Sequence, residues 1–282
     1  MREKALQNPF PPLKQYKTMD LESLCQAVVQ ISKEVGVFLR KEAQIFDLSQ
    51  IEYKGMNDLV SYVDREAENK LVRRLREILP EAAFYTEEAE ENQALTAQPY
   101  HWIIDPLDGT TNFMHNLPIF AISIGLMHGQ EMVLGVVYEV NREECFYAWK
   151  GGGAYCNGRA IRVSPVADLS DSLLATGFPY RDFDQVPAYL EIIKAFMQQT
   201  HGLRRMGSAA VDLAYVALGR FQGFFEYNLN AWDVAAGALI IQEAGGTVST
   251  FKGKNDFVFG REIVAAGPIH PQMLQLIQRY WH

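Results

Sequence analysis

The chain has 282 residues, with 26 Lys plus Arg against 34 Asp plus Glu and a formal net charge of −8. Hydrophobic residues make up 48% and charged residues 21%, a globular composition that disfavours disorder, a collagenous chain or a disulfide scaffold. At roughly 150 residues per domain it holds one large domain or two modest ones, and the acidic balance argues against a non-specific nucleic-acid binder.

The three cysteines, Cys25, Cys145 and Cys156, form no CxxC pair, which reads as idle thiols in a reducing compartment. No apolar run approaches the roughly 18 residues of a membrane span. Residues 1–17 are polar, carry Pro9, Pro11 and Pro12, and lack the apolar stretch of a secretory signal. They read as an N-terminal extension, and the expected address is the cytoplasm.

In chain order, Leu21, Leu24, Val28, Ile31, Val35 and Leu39 recur at helical spacing and predict a helix over about 20–46. A second helix is predicted over about 63–79, stopped by Pro80. Its charged face, Arg65, Glu66, Glu68, Lys70, Arg73 and Glu77, reads as solvated. Strand signals follow at 100–104, and the runs 119–128 and 131–140 are separated by His128-Gly129-Gln130, a hairpin. Strands at 144–148 and 154–155 flank Gly151-Gly152-Gly153, and Asn157-Gly158 marks a tight turn, so this stretch is an antiparallel meander. The second half alternates: strand 173–177, helix 188–199, helix 209–218 closed by Gly219, strand 221–227, helix 232–243, strands 247–251 and 263–266, and helix 271–281. That alternation implies a layered α/β half. The expected organisation is an α+β half at 18–160 and an α/β half at 161–282, forming one compact unit.

The chain has no Walker loop, GxGxxG, HExxH or GxSxG pattern. Its carboxylates cluster in three places: Thr86-Glu87-Glu88, Asp105-Pro106-Leu107-Asp108-Gly109-Thr110-Thr111-Asn112-Phe113, and Trp232-Asp233. In the second, an apolar strand delivers Asp105 to its end, Pro106 fixes the backbone, and Asp108 follows three residues on. Gly109 permits close approach of a ligand, and a short helix starting at 109 or 110 would offer free N–H groups to an anion. Two like charges 4 Å apart cost about 4 kcal/mol at an effective dielectric near 20, so such a cluster calls for a cation. All-oxygen donors point to Mg²⁺ or Mn²⁺ rather than zinc, and a pair of ions could activate a water and stabilise a leaving oxygen. An aspartyl-nucleophile phosphatase would need an Asp where Pro106 stands.

The segments DPLDGTTNF (105–113) and WDVAAGALIIQEAGG (232–246), with the flanking TEE (86–88) and DLVSYVD (58–64), resemble the signatures of the inositol monophosphatase family. The resemblance runs from about residue 20 onward. It implies an α-β-α-β-α sandwich of the sugar-phosphatase type, and Mg²⁺-dependent hydrolysis of myo-inositol monophosphates by water, with two to three ions. By that resemblance Glu87, Asp105 and the Leu107 carbonyl hold one ion, and Asp105, Asp108 and Asp233 a second. Gly109 and Thr110 cradle phosphate, Thr110 with Asp64 orients the attacking water, and Glu88 supports that water or the metal shell. Glu226 and the Gly207-Ser208-Ala209 loop meet the polyol. Asp212 and Glu243 read as helix-surface or packing residues.

The resemblance also implies lithium inhibition and a homodimer, for which the meander at 145–165 is the expected interface. The residues TEEA replace a more usual GEES, so Thr86 and Ala89 imply altered fine geometry with both glutamates kept. Other small phosphate esters remain open as substrates: fructose 1,6-bisphosphate, NADP or adenosine 3′,5′-bisphosphate. A binding role with transcription machinery, as in some bacterial relatives of the family, is the weaker reading.

Overall fold

The computed structural model describes residues 20–47, 52–55, 58–89, 95, 98–179 and 183–282. The expected N-terminal extension lies outside the described residues. No helix among them is long and apolar enough to cross a membrane.

Helix α1 spans Leu21–Ile45 and starts at Asp20, whose side chain accepts the Ser23 N–H. It buries Val28, Ile31, Val35 and Leu39, the stripe that the spacing predicts. Strands β1 (Glu52–Gly55) and β2 (Asp58–Val60) form a small antiparallel hairpin that the sequence pattern does not reveal. Helix α2 (Tyr62–Ile78) opens on a capping box: Ser61 Oγ accepts the Val63 N–H at 3.1 Å, and Asp64 returns a carboxylate oxygen to the Ser61 N–H at 2.9 Å.

Seven strands then form the larger sheet: β3 (Ala83–Thr86), β4 (Tyr100–Asp108), β5 (Ala121–His128), β6 (Glu131–Glu139), β7 (Glu144–Trp149), β8 (Gly153–Cys156) and β9 (Arg159–Ile161). They run in sequence order, antiparallel except for β3 beside β4. The short helix α3 (Thr110–Met114) leaves the end of β4. The second sheet takes the order β11-β10-β12-β14-β13. Its strands are β10 (Leu173–Thr176), β11 (Gly202–Arg204), β12 (Gly223–Tyr227), β13 (Thr247–Ser249) and β14 (Glu262–Ala266), interleaved with helices α4 (Val186–Gln199), α5 (Ala209–Ala217), α6 (Ala231–Glu243) and α7 (His270–Ile277).

The cores define five layers. Helices α1 and α2 cover one face of the large sheet, their Val35, Leu39 and Leu71 packing with Trp102, Ile124 and Val136. Helices α5 and α6 fill the space between the sheets, where Leu213 and Ile240 share a core with Phe146 on one side and Phe224 on the other. Helices α4 and α7 close the outer face of the small sheet through Ile192, Phe196, Met273 and Ile277. This is the α-β-α-β-α sandwich that the resemblance implies.

Some boundaries differ from expectation. Helix α4 begins before Pro187 rather than after it, because a first-turn residue needs no N–H partner within the helix. Helix α7 ends at Ile277, four residues short of the prediction. Strands β3, β9 and β11 have only three or four residues each, too few for an alternation to register.

Paired glycines fix where α6 sits. Gly125 and Gly135 face each other on β5 and β6. A Cβ on Gly135 would stand 2.7 Å from the Ala236 carbonyl oxygen, and one on Gly125 would stand 3.2 Å from the Ala235 Cβ. Only hydrogen in place of a side chain lets the helix lie this close. Ser123 then donates to the Trp232 carbonyl at 3.0 Å, bolting the first turn of α6 opposite Asp105.

Candidate active site

The end of β4 carries the first feature of the site. In a regular strand Asp105 and Asp108, three apart, would point to opposite faces. Here the register slips: Asp105 pairs with Ser123 and Asp108 with Ala121. The extra residue, at Pro106-Leu107, is a bulge that returns Asp108 to the face of Asp105. Both side chains line a cleft of about 220 Å³ together with Glu87, Glu226 and Asp233.

Three of these carboxylates are held by backbone groups. Asp105 Oδ1 accepts the Leu107 N–H at 2.9 Å, Asp108 Oδ2 accepts the Ala210 N–H and the Ser208 hydroxyl, both at 2.6 Å, and Asp233 Oδ2 accepts the Asn230 N–H at 2.6 Å. Glu87 is fixed by its own N–H, which donates to the Ile104 carbonyl at 3.2 Å. The Glu88 N–H donates to Glu68 Oε2 at 2.8 Å, so Glu68 is a structural partner of the site and not only part of a solvated helix face.

The electrostatics follow from this crowding. Burial first, then Asp233 and Glu88, push Glu87 well above the usual carboxylate range. Burial, then Glu87 and Asp108, do the same to Asp105, which is 2% exposed. Burial raises Asp108 as well, and burial with Asp108 pushes Asp233 up to about 7.

Beyond Asp108 the chain turns at Gly109, whose φ of +101° is left-handed. A Cβ there would stand 3.0 Å from the Ile119 carbonyl oxygen. Helix α3 starts at the next residue, and Thr110 Oγ1 lies 3.2 Å from Asp64 Oδ1 and 3.0 Å from the Leu107 carbonyl oxygen. The capping box of α2 thus delivers a buried acid, 1% exposed, to the hydroxyl of Thr110. Residue pattern alone does not single out Asp64.

Glu226, near the end of β12, lines the same cleft, as do Gly207, Ser208 and Ala209. Burial and then Asp233 raise its pKa well above normal, and Arg205 opposes them. Gly177 makes room for it, since a Cβ there would overlap the carboxylate. Three residues missed from the sequence belong here. Asp212 is not on the surface: it is 1% exposed, lines the cleft, and its Oδ1 has no hydrogen-bond partner. Arg205 and Arg261 are cations of the same cleft. Glu243 is a packing residue as expected, its carboxylate accepting the N–H groups of Gly151 and Gly153 at 2.8 and 2.9 Å.

As the side chains stand, no three His, Cys, Asp or Glu among the described residues converge tightly enough to close a coordination cage. The donor set nonetheless fits a hard divalent cation: every group is an oxygen. Glu87 and Asp105 act on each other in the cleft, each raising the other's need for a neutralising charge.

A five-layer sandwich with an all-oxygen acidic cleft at a strand-to-helix turn defines the class, a sugar-phosphatase architecture. The chain belongs to the inositol monophosphatase family, whose profile matches residues 20–282 and whose members generally depend on Mg²⁺. It is 40% identical over 248 residues to the Nus factor SuhB of Escherichia coli strain K12, covering 88% of this chain and 92% of that protein. Among solved structures, the extragenic suppressor protein suhB of Bartonella henselae superposes with a TM-score of 0.85 at 38% identity, over 91% of this chain and 99% of that one. The inositol monophosphatase of Anabaena sp. PCC 7120 superposes with a TM-score of 0.82 at 32% identity, over 93% and 98%.

Proposed function

We propose that the chain is a divalent-metal-dependent phosphomonoesterase acting on myo-inositol monophosphates. The observation that carries this reading is the meeting of Glu87, Asp105, Asp108 and Asp233 in one cleft beside the Gly109 turn. In this reading Glu87, Asp105 and the Leu107 carbonyl hold one Mg²⁺, and Asp105, Asp108 and Asp233 hold a second, with a third or Mn²⁺ also compatible. Bound cations supply the charge that offsets the carboxylates and the phosphate, and acidify water.

The chain's own groups do the rest. Backbone N–H groups at Gly109 and Thr110 hold the phosphate. The Thr110 hydroxyl, oriented by Asp64, accepts a hydrogen bond from the attacking water and passes its own proton's hydrogen bond to the Asp64 carboxylate. Glu88 supports that water from the other side. Attack is in line, and no covalent phosphoenzyme forms. Glu226 accepts hydrogen bonds from ring hydroxyls, with Ser208 and Ala209 beside it.

Phosphate release with Mg²⁺ tests the reading on inositol 1-phosphate, fructose 1,6-bisphosphate, adenosine 3′,5′-bisphosphate and NADP, with Asp105→Asn as control. Preference for inositol 1-phosphate, lost in the variant and reduced by millimolar lithium, supports it. Preference for another ester keeps the chemistry and overturns the role given to Glu226. The likeness to proteins named Nus factors favours a second reading, contact with transcription machinery alongside catalysis. A pulldown with purified transcription components tests it.

The same proposal takes residues 18–160 and 161–282 as halves of one catalytic unit, and the three free thiols fit a cytoplasmic address. It also takes a homodimer through the meander at 145–165. Elution as a monomer near 31.9 kDa would remove that part.

A further inference from the structure

Where the chain enters β14, Arg261 adopts a left-handed backbone, with φ +60°, and Asn228 at the end of β12 does the same, with φ +66°. Asparagine tolerates this conformation, but an arginine holds it only where the surroundings impose it. The two face each other at the rim of the cleft and are locked together. Arg261 Nη1 donates to Asn230 Oδ1 at 3.1 Å, and Nη2 donates to the Asn228 carbonyl at 3.3 Å and to Asn228 Oδ1. The Leu229 N–H donates back to the Arg261 carbonyl at 3.2 Å. One planar guanidinium therefore grips both asparagines of the three-residue link between β12 and α6, a geometry that an ammonium, with its point charge, does not reproduce.

The link ends on the site. The Asn230 N–H donates to Asp233 Oδ2 at 2.6 Å, so the guanidinium reaches the Asp233 carboxylate through one residue. We infer that Arg261 is a positioning residue: by fixing Asn228 and Asn230 it pins one oxygen of Asp233 and presents the carboxylate to a divalent cation in the cleft. This rests on the metal-binding reading of Asp233 given above.

The test is calorimetric titration of Mn²⁺ into the metal-free full-length chain, without substrate, for wild type, Arg261→Ala, Arg261→Lys and Asp233→Asn. Thermal denaturation of each metal-free protein is run alongside. The expected result is a loss of Mn²⁺ affinity of roughly 10–100-fold in Arg261→Ala, the range for residues that orient a metal ligand. Arg261→Lys should recover only part of it, and kcat should fall with little change in KM.

Arg261→Ala binding Mn²⁺ as tightly as wild type, or losing only melting temperature, would overturn the inference and leave the metal site standing. If Arg261→Ala does not fold, Arg261→Lys decides: affinity equal to wild type overturns the inference. Wild type with no Mn²⁺ binding would overturn the metal reading itself, a separate failure.

Discussion

The crowded carboxylates predict that the metal-free protein loses stability as pH rises. A carboxyl whose folded pKa lies above its unfolded value binds more protons in the folded state between the two. Stability therefore falls with pH across that interval and levels off above it. For Asp233 the interval runs from 3.8 to about 7, a rise of about three units or about 4 kcal/mol in all. About 2 kcal/mol of this falls between pH 5.5 and 7, and for a chain of this size that is a drop of roughly 4–8 °C in melting temperature. Burial raises Glu87, Asp105, Asp108, Asp212 and Glu226 too, and they act in the same direction. His270 acts the other way: burial lowers its pKa, so it destabilises the fold as pH falls below 6.5.

The assay is differential scanning calorimetry in chelator from pH 5.5 to 8.5, for wild type and Asp233→Asn, with and without 5 mM Mg²⁺. Subtracting the variant removes the His270 contribution. Chelated wild type should lose about 2 kcal/mol relative to Asp233→Asn between pH 5.5 and 7, and saturating Mg²⁺ should restore it by binding only the folded state. A flat or rising difference in chelator would refute the reasoning.

Three further outcomes are expected. Gly135→Ala should cost about 1–3 kcal/mol in urea denaturation, because its Cβ meets the backbone of α6 and not a movable side chain; unchanged stability would mean that α6 is not seated as described. Thr110→Val should lower kcat by roughly 10²-fold or more with metal affinity intact, while Thr110→Ser keeps most of the rate; a fully active valine variant would remove Thr110 from the water-orienting role. Glu226→Gln should raise KM for inositol 1-phosphate and leave 4-nitrophenyl phosphate hydrolysis unchanged, and equal losses on both substrates would make Glu226 part of the general acidic field instead.

The legible parts of the molecule were those with a strong local pattern. The stripe of α1, the hairpin between β5 and β6, and the acidic segments at 87, 105 and 233 each announce themselves within about ten residues. The bulge that aligns Asp105 with Asp108 does not, because it depends on the partner residues Ser123 and Ala121. Arg205 and Arg261 were silent for the same reason: each sits in a loop or beside a strand end with no local pattern around it, and the contacts that matter lie far along the chain. Glu68 looked like its charged neighbours on α2, and only its distance to the Glu88 N–H separates it. Asp212 did leave a signal. It is the one charged residue in the apolar helix Ala209–Ala217, where a carboxylate has no surface to reach. Strands β3, β9 and β11 are too short to alternate.

The central position of α5 and α6 has a consequence in time. The face of the large sheet carrying Val137, Phe146 and Ala148 shares one core with these two helices, and α6 is complete only at Glu243, about 80 residues after β9 ends. At about 5–20 residues per second that interval is roughly 4–16 s of synthesis. During it the first sheet has an apolar face that still lacks the cover of α6, and until residue 217 that of α5 as well. A nascent chain halted near residue 200 should therefore be a chaperone client and protease-sensitive, although every strand of that sheet has already been made.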